Sequence, residues 1–195
     1  MLIVLISFLL LINSYSNKNL KLQEDLQNQT VLINQLQKEI QNNEERNREI
    51  LEENNKLLKQ LNDINQKYSV NIPMKDKLLI VNESKRYNIR PELLFGLIEA
   101  ESTFNPNAVS PCGAIGYGQI MPSTGKWIYE RELKLGEFSP DKLFNPETNI
   151  KIAAWYLNYH VSRGGIRNIG SYHGGTQVTR ERYTNRILTK ARKYE

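Results

Sequence analysis

Leu94-Phe95-Gly96-Leu97-Ile98-Glu99-Ala100-Glu101-Ser102 has a helical period that decides how the surrounding chain is read. Leu94, Leu97 and Ile98 precede Glu101 by seven, four and three residues, so all four share one helix face. A carboxylate on an apolar stripe is costly unless it is paired or protonated. Burial raises a carboxyl pKa, and a general acid near neutral pH needs a raised pKa. Glu99 is turned away by about 200° and faces elsewhere. A structural glutamate beside the core with a satisfied partner fits the same pattern, since ion pairs also perturb carboxyl groups.

The next segment adds chemistry. Gly113, Gly116 and Gly118 fall within six residues, which suits backbone that approaches a ligand closely or takes positive φ. Ser110 offers a hydroxyl, and Gln119 an amide set among small residues. Such a lining suits a groove for a polar polymer such as a sugar chain, and a plain glycine-rich turn has the same composition. The run has no Gly-Lys-Ser/Thr ending, so it is not a phosphate loop.

Glu101-Ser102, Asn105-Pro106, Ala108, Ser110, Gly113-Ala114, Gly116, Gln119, Met121-Pro122 and Thr124 together resemble the catalytic core of the SLT-type lytic transglycosylases. Downstream, Leu143 to Ile150, Ala153-Ala154 and Tyr156-Leu157 resemble that family's second block. Ser171-Tyr172-His173-Gly174-Gly175 stands in place of its Ala-Tyr-Asn-Ala-Gly motif, and Thr179-Arg180 with Tyr183 resembles its closing Glu-Thr-Arg-x-Tyr segment. The resemblance spans residues 75 to 192. It implies a mainly α, lysozyme-like catalytic domain related to goose-type lysozyme. The chain departs from the pattern in three places. Gly116-Tyr117-Gly118-Gln119 replaces Gly-Leu-Met-Gln, His173-Gly174 replaces Asn-Ala, and Val178 replaces a Glu. The first of these removes a Met that packs by the substrate.

The activity implied is cleavage of the MurNAc-GlcNAc β-1,4 bond of peptidoglycan, leaving a 1,6-anhydromuramyl end. The resemblance makes Glu101 the acid and then the base, has Ser110 and Gln119 hold substrate polar groups, and has Tyr172 hydrogen-bond near Glu101. Glycoside cleavage usually takes two carboxylates, but the resemblance supplies no second catalytic acid; Glu130, Glu132, Glu137 and Asp141 read as a solvated surface. That absence fits a substrate-assisted route. Two rivals remain: a lysozyme-type hydrolase on the same fold, and a non-catalytic glycan-binding scaffold of the envelope. Neither a cofactor nor a metal is expected, because His160 and His173 are the only histidines and no Cys/His/Asp cluster has ligand spacing. Cys112 is the only cysteine, and a nucleophilic role would need a base partner.

The rest of the chain reads as delivery. Leu2 to Ile12 is apolar except for Ser7. At about 17 Å as a helix it is short of the ~30 Å bilayer core and suits the apolar region of a secretory signal. Export to the periplasm or cell wall is expected. Retention of the segment would add inner-membrane association, and cleavage would release the chain.

Residues 20 to 68 hold no Gly or Pro. One heptad register puts Leu26, Ile33, Ile40 and Leu61 at a, and Leu22, Leu36, Ile50, Leu57 and Ile64 at d. Asn47 and Asn54 fall at a, and Gln29 and Asn43 at d. The pattern predicts a coiled coil about 70 Å long and a homodimer, since Asn at a favours two strands. A single long helix or a polar, partly disordered spacer has the same composition.

The expected division is 1–16 as signal or anchor, 17–72 as spacer and 73–195 as catalytic domain. Within the last, helices are expected over Met74 to Tyr87, from Pro91, over Lys151 to Val161 and over Gln177 to Tyr194. From Pro73 onward the chain carries 18 Lys/Arg against 12 Asp/Glu. A basic face suits anionic wall polymers. Arg180, Arg182, Arg186, Lys190, Arg192 and Lys193 also suit nucleic acid, but an exported chain is not expected to meet it.

Overall fold

The structure is a computed structural model and describes residues 2–195. It is mainly α, as the sequence predicts. The helices are α1 (Leu2–Lys67), α2 (Met74–Arg86), α3 (Pro91–Ser102), α4 (Pro122–Trp127), α5 (Pro146–Gly164), α6 (Gly170–His173) and α7 (Gln177–Ala191). Single 3-10 turns cover Pro140–Phe144, Ile166–Ile169 and Arg192–Tyr194, and a π-helical turn covers Ile128–Glu132. Among the described residues, the only β pairing is two isolated bridges, Val109 with Ile115 and Ile115 with Ile120.

The chain forms two units, the first ending at Leu58 and the second running Lys59–Glu195. In the first, α1 continues without interruption because nothing in it breaks a helix. Its heptad residues Leu22, Leu26, Ile33, Leu36, Ile40, Ile50 and Leu57 are each at least 49% exposed. Among the described residues, no helix is long and apolar enough to cross a membrane.

The second unit has one core, with α3 at its centre packed on α2, α5 and α7. Leu94, Phe95, Leu97 and Ile98 are fully buried, and each contributes about 1.5–3 kcal/mol by burial. Pro73 does precede a helix, yet packing reaches back past it. Tyr68 stacks on Phe95 with centroids 4.1 Å apart. Lys67 Nζ donates to Glu92 Oε1 at 2.6 Å, and Lys77 Nζ donates to Asn65 Oδ1 at 2.7 Å. The heptad residue Ile64 joins this core and is not an exposed seam residue.

Local chemistry sets the other boundaries. α5 begins before Lys151 because Asn145 caps it, accepting from Thr148 N at 3.1 Å, and Pro146 occupies the first turn. The last helix tightens to a 3-10 turn at Arg192, which buries Tyr194. Glu130 departs from the solvated reading: it is half-buried, and its Oε1 accepts from Phe138 N at 3.0 Å.

Candidate active site

Glu101 lies on the last turn of α3, which stops because Thr103 and Phe104 take left-handed φ values of 51° and 61°. The same face that buries Leu94, Leu97 and Ile98 carries Glu101 to the edge of the core, where its side chain is 14% exposed. α3 and α7 approach closely at Gly96, where a Cβ would lie 2.7 Å from Ala191 N. That closeness brings α7 side chains to the carboxylates of α3.

Tyr183 Oη donates to Glu101 Oε1. Arg186 Nη2 stands 3.7 Å from the same oxygen. Burial pushes the Glu101 carboxyl above the ordinary value; the Tyr183 hydrogen bond and the Arg186 and His173 charges oppose this without cancelling it. The groups acting on Glu101 include no second carboxylate. Glu99 is also buried, which pushes its carboxyl up, but hydrogen bonds from Lys190, Lys193 and Tyr194 outweigh that and hold it low. The sequence puts Glu99 on a different face from Glu101, yet its side chain is as little exposed, 12% against 14%, and it too meets α7, through Lys190; the two acids differ in the direction of their shifts.

The glycine-rich loop is built around Asn149, which is 1% exposed. Asn149 Oδ1 accepts from Gly118 N at 2.7 Å, and its Nδ2 donates to Ile115 O and Leu143 O, each at 2.8 Å. At Gly116, with φ 75°, a Cβ would sit 2.3 Å from Asn149 Nδ2. At Gly118 a Cβ would meet Ala153 Cβ at 2.6 Å and Tyr172 Oη at 3.0 Å. The position where the related motif carries Met therefore has no room for a side chain here.

Tyr172 is buried, and its hydroxyl donates to Gly118 O at 2.9 Å. Burial first, and the Glu101 charge second, push its pKa far up. Tyr172 thus braces the loop, while the hydrogen bond to Glu101 comes from Tyr183. Gln119 holds left-handed φ (47°), and its Nε2 donates to Ala108 O at 3.1 Å and Gly116 O at 3.0 Å. Ser110 Oγ accepts from Ala114 N at 3.0 Å, closing a turn. Sequence reasoning placed Arg186 only in a basic cluster, and Asn149 and Tyr183 only within motifs. A basic residue three positions after Tyr183 was the available signal, because that spacing shares a helix face. Among the described residues, no group of three or more His, Cys, Asp or Glu is arranged to hold a metal.

Residues 79–194 match the family described as Transglycosylase SLT domain. Membrane-bound lytic murein transglycosylase C of Yersinia pestis is 35% identical over 108 residues, covering 50% of this chain and 30% of that protein. The counterpart in Yersinia pseudotuberculosis matches to the same extent. The chain therefore spans under a third of the length of these relatives. Among solved structures, the 70 kDa soluble lytic transglycosylase of Escherichia coli superposes with a TM-score of 0.53 at 26% identity, over 60% of this chain and 23% of that one. The lytic transglycosylase Slt of Pseudomonas aeruginosa shares the fold, with a TM-score of 0.55 at 24% identity over 63% of this chain and 24% of its own. With more than half of its length matched, the chain belongs to the SLT transglycosylase domain family.

Proposed function

We propose that the chain is an exported peptidoglycan lytic transglycosylase that cuts the MurNAc-GlcNAc β-1,4 bond. The observation that carries this reading is the solitary, desolvated carboxyl of Glu101 with a tyrosine hydroxyl donating to it. Its raised pKa keeps a larger fraction protonated toward neutral pH, as a general acid needs. Glu101 gives its proton to the glycosidic oxygen as the bond to muramyl C1 breaks. The cationic C1 centre is stabilised by the sugar's own N-acetyl group. Glu101, now a carboxylate, takes the proton of the C6 hydroxyl as that oxygen bonds to C1. The 1,6-anhydro ring closes, and no water is consumed.

In this reading Tyr183 orients the carboxyl and offsets the charge it acquires. Gln119, its Nε2 used internally, offers Oε1 to a sugar donor, Ser110, whose Oγ accepts from Ala114 N, offers its hydroxyl proton, and Tyr172 holds the loop to which both belong. Mass spectrometry of purified peptidoglycan digested by the full chain tests the reaction. Anhydromuramyl products that vanish in Glu101→Gln are expected. Reducing ends would move the chain to a hydrolase, and no products from a folded protein would favour the scaffold.

The exposed heptad residues of α1 support a homodimer through that helix. Sedimentation of the full chain should give a dimer, and monomer alone would remove that proposal. Export, with the Leu2–Ile12 segment as signal or inner-membrane anchor, is tested by fractionating cells that express the full chain. Recovery in the cytosol alone would contradict it.

A further inference from the structure

A cavity of about 220 Å³ adjoins Glu101 and is lined by His173, Thr179, Arg182, Tyr183 and Arg186. Two of its walls, Tyr183 and Arg186, are the groups that touch the Glu101 carboxyl. The His173 ring stacks on Tyr183 with centroids 5.0 Å apart and an interplanar angle of 14°. The Arg186 guanidinium lies 5.3 Å from the Tyr183 ring centroid. One tyrosine ring is thus flanked by an imidazole and a guanidinium while its hydroxyl faces Glu101.

The charge around this cavity is unbalanced. Among the described residues Arg182 makes no ion pair, and Arg186 has only Glu101, at 3.7 Å. Glu181, the nearest acid along the helix, is held by Gln177 Nε2 at 2.8 Å and lines a different cavity. No carboxylate lines the pocket itself. A neutral sugar gives two guanidinium groups little to bind, whereas a carboxylate matches their planar, forked donors.

We propose that this cavity is a subsite for a carboxylate carried by the glycan strand, with Arg182 and Arg186 as its ligands. The inference rests on the peptidoglycan reading. On such a strand, carboxylates lie on the peptide stems, or on the lactyl ether of the muramyl sugar where a stem has been removed. Either source places an anion beside the sugar whose C1 faces Glu101. His173 widens the basic surround at a position where the related motif has Asn.

The test uses the full chain on two forms of purified peptidoglycan, one with free stem carboxylates and one with them converted to methylamides. The wild type should cut the free form with a KM about tenfold lower at equal kcat, the scale of a charge-assisted contact. Arg182→Gln should erase the difference and keep the wild-type melting curve. Equal KM values for the two forms in the wild type with no lower KM on strands stripped of stems by an amidase, or a preference that survives in Arg182→Gln, would overturn the subsite and leave the reaction standing. Absence of anhydromuramyl products from both forms would remove the reaction reading, and the subsite with it. Strands stripped of stems by an amidase separate the sources. A low KM that appears only on the stripped strands, where the lactyl carboxylate is free, assigns the anion to the lactyl group, and one seen with free stems and lost on stripping assigns it to the stem.

Discussion

Glu99 and Glu101 are two residues apart on α3, are similarly buried, and both reach toward α7 and the turn that follows it. Their partners separate them. Glu99 meets two ammonium groups and a phenol and is held as a carboxylate. Glu101 meets one phenol and a guanidinium at 3.7 Å, which is too little to repay its desolvation. Burial alone therefore does not make a general acid. What matters is how much charge compensation accompanies it.

The largest effect should come from Glu101→Gln, which keeps the shape and removes the transferable proton. Turnover should fall by about a thousandfold or more in a peptidoglycan-release assay. The folded state raises the pKa of Glu101, so its favourable contribution is complete below the unfolded pKa and is lost as pH rises through the folded value. Glu101→Gln should therefore melt no lower than wild type at neutral pH, and lose any advantage in acid. A neutral-pH melting loss would mean that Glu101 belongs with Glu99 as a structural carboxylate.

Tyr183→Phe sharpens the comparison by removing the strongest compensation Glu101 has. Turnover should fall by about ten- to a hundredfold. The alkaline limb of the pH–rate profile should move to higher pH, because the lost hydrogen bond had stabilised the carboxylate. Gly96→Ala acts on both carboxylates together, since the added methyl would press on the backbone of α7 at Ala191 and Ile187. A destabilisation of about 1–3 kcal/mol is expected from denaturant melts. The smallest effect is that of Glu99→Gln, about 1 kcal/mol, with kcat unchanged. Its folded pKa is lowered, so the loss should appear above the unfolded value and shrink as pH falls through the folded one.

Part of this contrast was legible in the sequence, and the reason is local. The spacing of Leu94, Leu97, Ile98 and Glu101 puts Glu101 on the buried face before any tertiary contact is known, but it does not show that Glu99 is buried as well. The absence of Gly and Pro likewise makes α1 continuous. What escaped was non-local. Tyr183 lies 82 residues from Glu101 in sequence, and only the close approach at Gly96 brings them together. Tyr172 was expected to hydrogen-bond near Glu101; that its acceptor is Gly118 O, 54 residues away in sequence, was not legible. The backward reach of the core to Ile64 and Tyr68 was hidden because a heptad position and a core position look alike until a partner is present. The half-buried Glu130 sits in a charged run whose average polarity conceals the one side chain that bonds inward.

The most direct test is carboxyl-carbon NMR titration of the full chain, with Glu99 and Glu101 assigned through Glu99→Gln and Glu101→Gln. Glu101 should titrate above the ordinary glutamate range and Glu99 below it, and Tyr183→Phe should move Glu101 further up. A Glu101 pKa at or below that of Glu99 would contradict the assignment of Glu101 as the general acid.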